Sequence, residues 1–354
     1  MKYELYGTEI KRRELLRRVG DISQVAGAQS AVLADGKGKD VRVVHVKTGT
    51  GLNFTIVPDR GMDIAWAEYR GMALSFVSKT GVVHPNAYDK SDDEFHRSFF
   101  AGLLTTCGLR NIGPGCEDGG ERLGLHGRID NTPARDVCSE HRWMDDNTLE
   151  MSVRGVVSEA KLYGENLQLH REITAVMGTS VIRIRDVVEN LGFAEEPLAI
   201  LYHCNFGYPL LDLGSKLYMP KGSVTARDAH AGQNTEGYDS FQEPQNNYPE
   251  TVYFHDSTAG ADGWSQAVLY NPALLLGVRI RYKKATLPYL VEWKNMGNGD
   301  YVIALEPANC YPQGRNCIRE NSMLQSLAPF EKREFEMELQ VIDGEKALSQ
   351  CLLE

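Results

Sequence analysis

The sequence predicts an all-β protein, a sandwich or barrel preceded by a short N-terminal helix. Three observations carry that prediction. Runs of alternating apolar and polar residues recur at roughly ten-residue intervals, with Gly, Asn and Asp between them, which is the spacing of antiparallel strands and not of βαβ units. The chain has 354 residues, 42% of them hydrophobic and 24% charged, enough to bury a large core without disulfides or metals. No fixed-period repeat and no Pro-, Gly- or Ser-rich linker divides it. The expected organisation is a helical appendage over residues 1–40 and one β domain over 41–354.

The elements follow in order. Residues 8–19 have helical spacing, with Gly20 as the stop. Residues 41–46 alternate, 47–51 turn on two glycines, and 52–57 alternate again, a hairpin signature. Further strand runs are 148–157, 167–176, 180–189, 197–203, 251–255, 266–270, 273–281, 289–294, 301–306 and 333–341. Three apolar-poor stretches interrupt them: 81–95, 113–122 and 222–248. Loops that long inside a compact domain are usually functional or disordered.

Charge and cysteine content exclude several classes. A formal net charge of −10 argues against nucleic-acid binding, which needs a basic face. The one basic cluster, Lys11, Arg12, Arg13, Arg17 and Arg18, is interleaved with Glu14, Leu15, Leu16 and Val19 and reads as the solvated side of a helix. No apolar run is long enough to span a membrane, and Met1 to Tyr6 carries charge where a leader peptide needs apolar residues. Seven cysteines with no CxxC pair suggest neither a disulfide framework nor a zinc site, so a reduced, cytoplasmic protein is expected.

Four segments set ionisable residues beside short apolar runs and a backbone breaker: 57–64, 124–131, 201–209 and 301–309. His126 lies between Leu125 and Gly127, where a plain turn residue is the simpler reading. His203 follows an apolar strand and reads equally as a core or a catalytic histidine. Glu306 closes the run Val302 to Leu305 and precedes Pro307, so at least part of it is buried. A buried carboxylate needs a partner or a raised pKa, and a raised pKa is what proton transfer at neutral pH requires. Arg60 is either its ion-pair partner or a substrate clamp. There is no GxSxG, HExxH, P-loop or dinucleotide fingerprint, and the remaining histidines show no ligand spacing, so no metal site is expected.

Together the four segments resemble galactose mutarotase (aldose 1-epimerase) and its relatives. The runs Arg18-Val19-Gly20-Asp21, Pro58-Asp59-Arg60-Gly61-Met62-Asp63, Gly102 to Leu109 and Glu306-Pro307-Ala308-Asn309 with Gly314-Arg315 resemble a divergent branch of that family whose function is unknown. The resemblance implies a large antiparallel β-sandwich of the galactose mutarotase type. It implies Glu306 as general base, His203 as general acid, and a substrate site drawn from Arg60, His126, Asn205, Trp293, Asn309 and Arg315. Trp293 or Tyr202 would form an aromatic floor under the sugar. The sequence departs from the family in reading His203-Cys204-Asn205-Phe206, with the asparagine before the phenylalanine. It also lacks a clear match for the substrate-binding aspartate, for which Asp212 and Asp228 are candidates.

The implied reaction is anomer exchange of a free monosaccharide. A base takes the C1 hydroxyl proton, an acid protonates the ring oxygen, and the opened chain closes on the other face; no cofactor is required. Two other readings use the same residues: an isomerase, lyase or epimerase acting on a keto sugar or uronate, and a non-catalytic sugar-binding or sensing protein. A small-molecule sugar is the expected partner. A homodimer is among the assemblies the sequence allows.

Overall fold

A computed structural model describes residues 4–9, 11–88, 92–219 and 222–353 of the chain. Three antiparallel sheets make up most of it. The first has five strands in the order Gly27–Val32, Arg42–Lys47, Leu52–Val57, Asp63–Tyr69 and Met72–Ala73. The second has seven. Six run in the order Thr105–Leu109, Glu196–Gly207, Asp300–Ala308, Tyr289–Gly297, Thr251–Ser257 and Gly222–Ala226, and Gln325–Leu327 pairs with the start of Glu196–Gly207. The third has eight, in the order Arg135–Trp143, Leu149–Ala160, Asn166–Val176, Val181–Asn190, Lys332–Asp343, Leu276–Lys283, Trp264–Asn271 and Lys216–Tyr218.

Period-two alternation explains how the sheets pack. In Asn166–Val176 the odd-numbered positions Leu167, Leu169, Arg171, Ile173 and Ala175 are buried and the even ones are half-exposed through Thr174. Residues of this kind from all three sheets, among them Phe54, Ile173, Ile184, Tyr202, Phe206 and Leu305, form one apolar core. The large antiparallel sandwich expected from the sequence is what the chain forms. Among the described residues no helix is long and apolar enough to cross a membrane.

The amino terminus differs from expectation. Of the helix expected over residues 8–19 only Arg12–Leu16 forms, and Glu4–Leu5 pairs with Thr8–Glu9 as a two-stranded ribbon. The reason is local: Tyr6 and Gly7 have φ of 55° and 76°, which turns the chain back on itself, and Lys11 offers the helix no side-chain cap. The boundary at residue 40 falls inside a hairpin, because Gly27–Val32 pairs with Arg42–Lys47 along its length.

The interior side of the seven-stranded sheet is anchored by ions. Arg171 donates to both carboxylate oxygens of Asp186 (2.9 and 2.6 Å), to Asp63 Oδ1 (2.8 Å), to the Gly61 carbonyl and to Thr106 Oγ1. Tyr202 Oη donates to Asp186 Oδ2 at 2.7 Å, and Thr106 donates to Asp63 through its amide and its hydroxyl. These contacts join the three sheets directly beneath the strand that carries His203.

Candidate active site

His203 and Glu306 stand opposite each other on neighbouring strands. The pairing of Leu201 with Ala308 and of Cys204 with Leu305 puts them in one cross-strand row, with Val291 next in line. Two residues along lie Asn205, Ala304, Trp293 and Val252, and two further lie Gly207, Val302, Asn295 and Glu250. These rows share one face, since side chains repeat every two residues. The intervening Tyr202, Cys204 and Phe206 point into the core. The cleft above this face has a volume of about 1110 Å³.

At the floor, His203 Nε2 lies 3.1 Å from Glu306 Oε1, and both side chains are buried. The approach is close without being aligned as a hydrogen bond: Glu306 Oε1 and His203 Nδ1 have no hydrogen-bond partner among the described residues. Unpartnered polar atoms at this depth are costly, and they are groups that a polar ligand would satisfy. Burial pushes the Glu306 carboxyl well above its ordinary range; the nearby charge of Glu250 adds to this and Arg227 opposes it. Burial also lowers the His203 imidazole to about 3, with His126 adding to the shift and the Asn205 side chain opposing it. Burial therefore favours the neutral form of each group.

His126 faces this pair from a turn in which its φ is 57°. Its ring lies 6.1 Å from the His203 ring, between centroids. The Gly113 amide donates to His126 Nδ1 at 3.4 Å, which leaves the ring proton on Nε2. Burial first, then the His96 charge, lowers this imidazole to about 4, with Glu250 opposing. Phe99 packs against His203 with ring centroids 5.3 Å apart, and Phe95 stacks on Phe99. Trp293 closes the other side 5.5 Å from His203. Its indole N–H donates to Glu250 Oε2 at 2.7 Å, and Glu250 Oε1 accepts from Arg227 at 2.9 Å.

The structure brings His126, His203, Trp293 and Glu306 to the cleft and places the other expected substrate residues elsewhere. Arg60 is fully buried and donates to the carbonyls of Val83, Ser98 and Asp130, with the Asp130 carboxylate 3.4 Å away. It holds three loops together, and Glu306 is not its partner. Asn309 accepts from the Ile200 amide and donates to the Leu198 carbonyl, stitching two strands. Arg315 is held by Asp118 and Glu121. Asn205 lies on the cleft side of its strand but is wholly buried; it donates to the His203 carbonyl, and its Oδ1 is unpartnered among the described residues. Tyr202 faces the core, so of the two aromatic residues expected only Trp293 reaches the cleft. Asp228 is engaged by Arg227 and by the amides of His230 and Ala231, and Asp212 by the amide of Leu213.

Several lining residues were not expected, among them Phe76, Phe99, Arg227 and Glu250. The signal that pointed toward some of them was loop length. All three long polar stretches contribute to the walls: Phe95 from the first, Cys116, Glu117 and Arg122 from the second, and Arg227 from the third. Among the described residues, no group of three or more His, Cys, Asp or Glu side chains is arranged to hold a metal ion.

The fold, an antiparallel β-sandwich with an open cleft on one sheet, matches that of galactose mutarotase-like proteins. The chain belongs to the family described as a domain of unknown function (DUF4432), which matches residues 38–341. A Klebsiella pneumoniae structure carrying the provisional name aldose 1-epimerase superposes with a TM-score of 0.88 at 25% identity, covering 96% of this chain and 88% of that one. A galactose mutarotase-like protein from Clostridium acetobutylicum superposes with a TM-score of 0.62 at 16% identity (90% and 99% covered). Galactose 1-epimerase from Lactobacillus acidophilus does so with a TM-score of 0.59 at 13% identity (90% and 100% covered). The last two likenesses concern the fold alone. No curated protein matches the chain.

Proposed function

We propose that the protein interconverts the anomers of a reducing sugar by general acid–base catalysis at Glu306 and His203. The observation that carries this reading is the 3.1 Å approach of His203 Nε2 to Glu306 Oε1 at the floor of the cleft. Ring opening needs one proton given and one taken within the span of a hemiacetal, and these two groups hold one exchangeable proton between them.

Burial favours the neutral form of both groups, which reverses the first roles expected from the sequence, Glu306 as base and His203 as acid. From that resting state Glu306 gives its proton to the ring oxygen while His203 Nε2 takes the one on the C1 hydroxyl. The aldehyde turns about C1–C2. On closure the imidazolium returns its proton to the carbonyl oxygen, and the carboxylate takes the one from the ring hydroxyl. A scheme with Glu306 as first base swaps the contacts: the carboxylate takes the C1 hydroxyl proton, a protonated His203 gives one to the ring oxygen, and closure returns both. His126, with its proton on Nε2, serves as a hydrogen-bond donor to the sugar, and Trp293 covers an apolar face of the ring.

The test is anomer exchange followed by NMR over a panel of aldoses, with a binding titration beside it. Glu306→Gln keeps the shape of the side chain and cannot exchange a proton, so exchange slows by roughly 10²–10⁴-fold while affinity changes far less. Exchange at the wild-type rate in that variant overturns the mechanism. Exchange of carbon-bound hydrogen with solvent deuterium would mean an isomerase or epimerase of keto sugars or uronates instead. Tight binding with no turnover by the wild type would mean a sugar-sensing protein.

A further inference from the structure

The floor of the cleft is longer than one sugar. The strand Asp300–Ala308 runs along it from Glu306 to Asp300, and Val302 and both of those ends line the cleft. Six residues of strand at about 3.3 Å each make a floor of about 20 Å. A six-membered ring built from bonds of about 1.5 Å spans about 5 Å from its first to its fourth oxygen.

The walls run in the same direction. On one side Phe99 stands against His203, and Phe76 lies over the row of Gly207 four residues further on. Gly207 is what allows this: a Cβ there would sit 3.1 Å from the Phe76 Cβ and 3.2 Å from its Cα. On the other side Trp293 and then Asn295 follow each other along Tyr289–Gly297. At the far end Lys79 pairs with Asp300 at 2.8 Å. The acid–base pair therefore sits on the floor of a trough with aromatic sides, which runs from it toward Asp300, while Cys116, Arg122 and Pro312 line the cleft on its other side.

We infer that this cleft takes the reducing end of an oligosaccharide, with the terminal residue over His203 and Glu306 and two or three further residues lying toward Phe76 and Asp300. Aromatic faces on the walls suit the apolar faces of successive sugar rings. The inference rests on the acid–base reading only for which residue lies at the pair; the trough itself is independent of it.

The test separates the two. Binding of malto-, cello- and manno-oligosaccharides of one to four units is measured by calorimetry, and anomer exchange of the same sugars by NMR. In at least one series affinity rises at least tenfold from the monosaccharide to the trisaccharide. In Phe76→Ala that ratio falls toward one, and unfolding midpoints of the two proteins confirm that the fold is kept. No gain with length in any of the three series, whether from equal affinity or from no binding, overturns the inference, and exchange of the monosaccharides then still supports the acid–base reading. Affinity that rises with length in a protein that exchanges no anomer upholds the trough and removes the mutarotase reading.

Discussion

Tyr202 and His203 are adjacent in the chain and belong to opposite kinds of chemistry. On the interior side of the sheet, Tyr202 joins Asp186, Arg171, Asp63 and Thr106 in a buried network whose side-chain nitrogens and oxygens all find partners. On the cleft side, His203 Nδ1, Asn205 Oδ1 and Glu306 Oε1 are as deeply buried and have none among the described residues. Both places remove ionisable groups from water. The first gives them opposite charge and hydrogen bonds, which fixes how three sheets meet, although burial still raises Asp63 to about 7. The second leaves polar atoms without partners, which favours the neutral forms of Glu306 and His203 and keeps hydrogen-bonding capacity in reserve for a ligand. A buried polar group is thus a structural part when its partners are in the chain, and a candidate functional one when they are missing.

The sharpest way to break this comparison is Arg171→Met. It removes the cation from between Asp63 and Asp186 and leaves two buried carboxylates without their partner. A loss of about 3–5 kcal/mol in urea unfolding is expected, in line with removal of one member of a buried ion network. Glu306→Gln on the other face is expected to lose none. A loss in Glu306→Gln as large as that in Arg171→Met would mean that Glu306 is a structural ion and not a reserve group.

A pH series sharpens the same contrast. The folded-state pKa of Glu306 is raised, so its contribution to stability is full below the unfolded value, near 4.3, and is lost as pH rises toward the folded value. Glu306→Gln carries no such proton. Its stability relative to the wild type therefore increases with pH above about 4.3, by at most ~1.4 kcal/mol per pH unit. Urea unfolding of both proteins at pH 5 and pH 7 measures this. A difference that stays flat or shrinks toward pH 7 would show that Glu306 is ionised in the fold.

The two faces were not equally legible in the sequence. Many strands were, because period two is local: the hairpin at Arg42–Lys47 and Leu52–Val57 and the long strands from Leu149 onward fall where alternation put them, whereas Gly27–Val32, Arg135–Trp143 and Gly222–Ala226, the last inside a stretch read as a loop, were not expected. Burial of Glu306 was legible for the same reason, since four apolar residues precede it and Pro307 follows. Partners were not. Arg60 reads as a clamp in isolation, and only the fold brings Val83, Ser98 and Asp130 to it from 23, 38 and 70 residues away. Asn309 and Arg315 were misread in the same way, as polar residues in a motif whose bonds turn out to be internal. The walls of the cleft come from loops without periodicity, so length and polarity were the signals available there.

Asn205 lies between the two classes and gives a smaller effect. Its carboxamide is tied to the His203 carbonyl, and its side chain favours the charged form of the imidazole against the stronger effect of burial. This makes it a positioning residue for His203. Asn205→Ala is expected to slow exchange about tenfold, toward the low end of what one proton-transfer group supplies, with KM little changed. The variant also lowers the imidazole pKa further, so the acid limb of the pH–rate profile moves to lower pH. A purely structural asparagine would cost stability and leave that limb in place.

The smallest expected effect is at the rim. Glu250 accepts from both Trp293 and Arg227 and is exposed, so the energy of its ion pair is screened by solvent and contributes little to stability. Its charge nevertheless reaches the floor, where it raises the Glu306 pKa while Arg227 lowers it. Glu250→Gln keeps an acceptor for the indole, removes the negative charge and leaves Arg227 with Asp228 as its carboxylate partner. The loss of that charge favours ionised Glu306, so the alkaline limb of anomer exchange moves to lower pH by less than about one unit, a shift of the size one neighbouring charge produces. Stability changes by less than about 1 kcal/mol. The pH–rate profile of the variant measured at low salt and again at high salt decides the matter. A charge acting across the open cleft gives a smaller shift in salt. A shift that is absent, or unchanged by salt, would mean that Glu306 is set by burial alone and that the rim pair only orients Trp293.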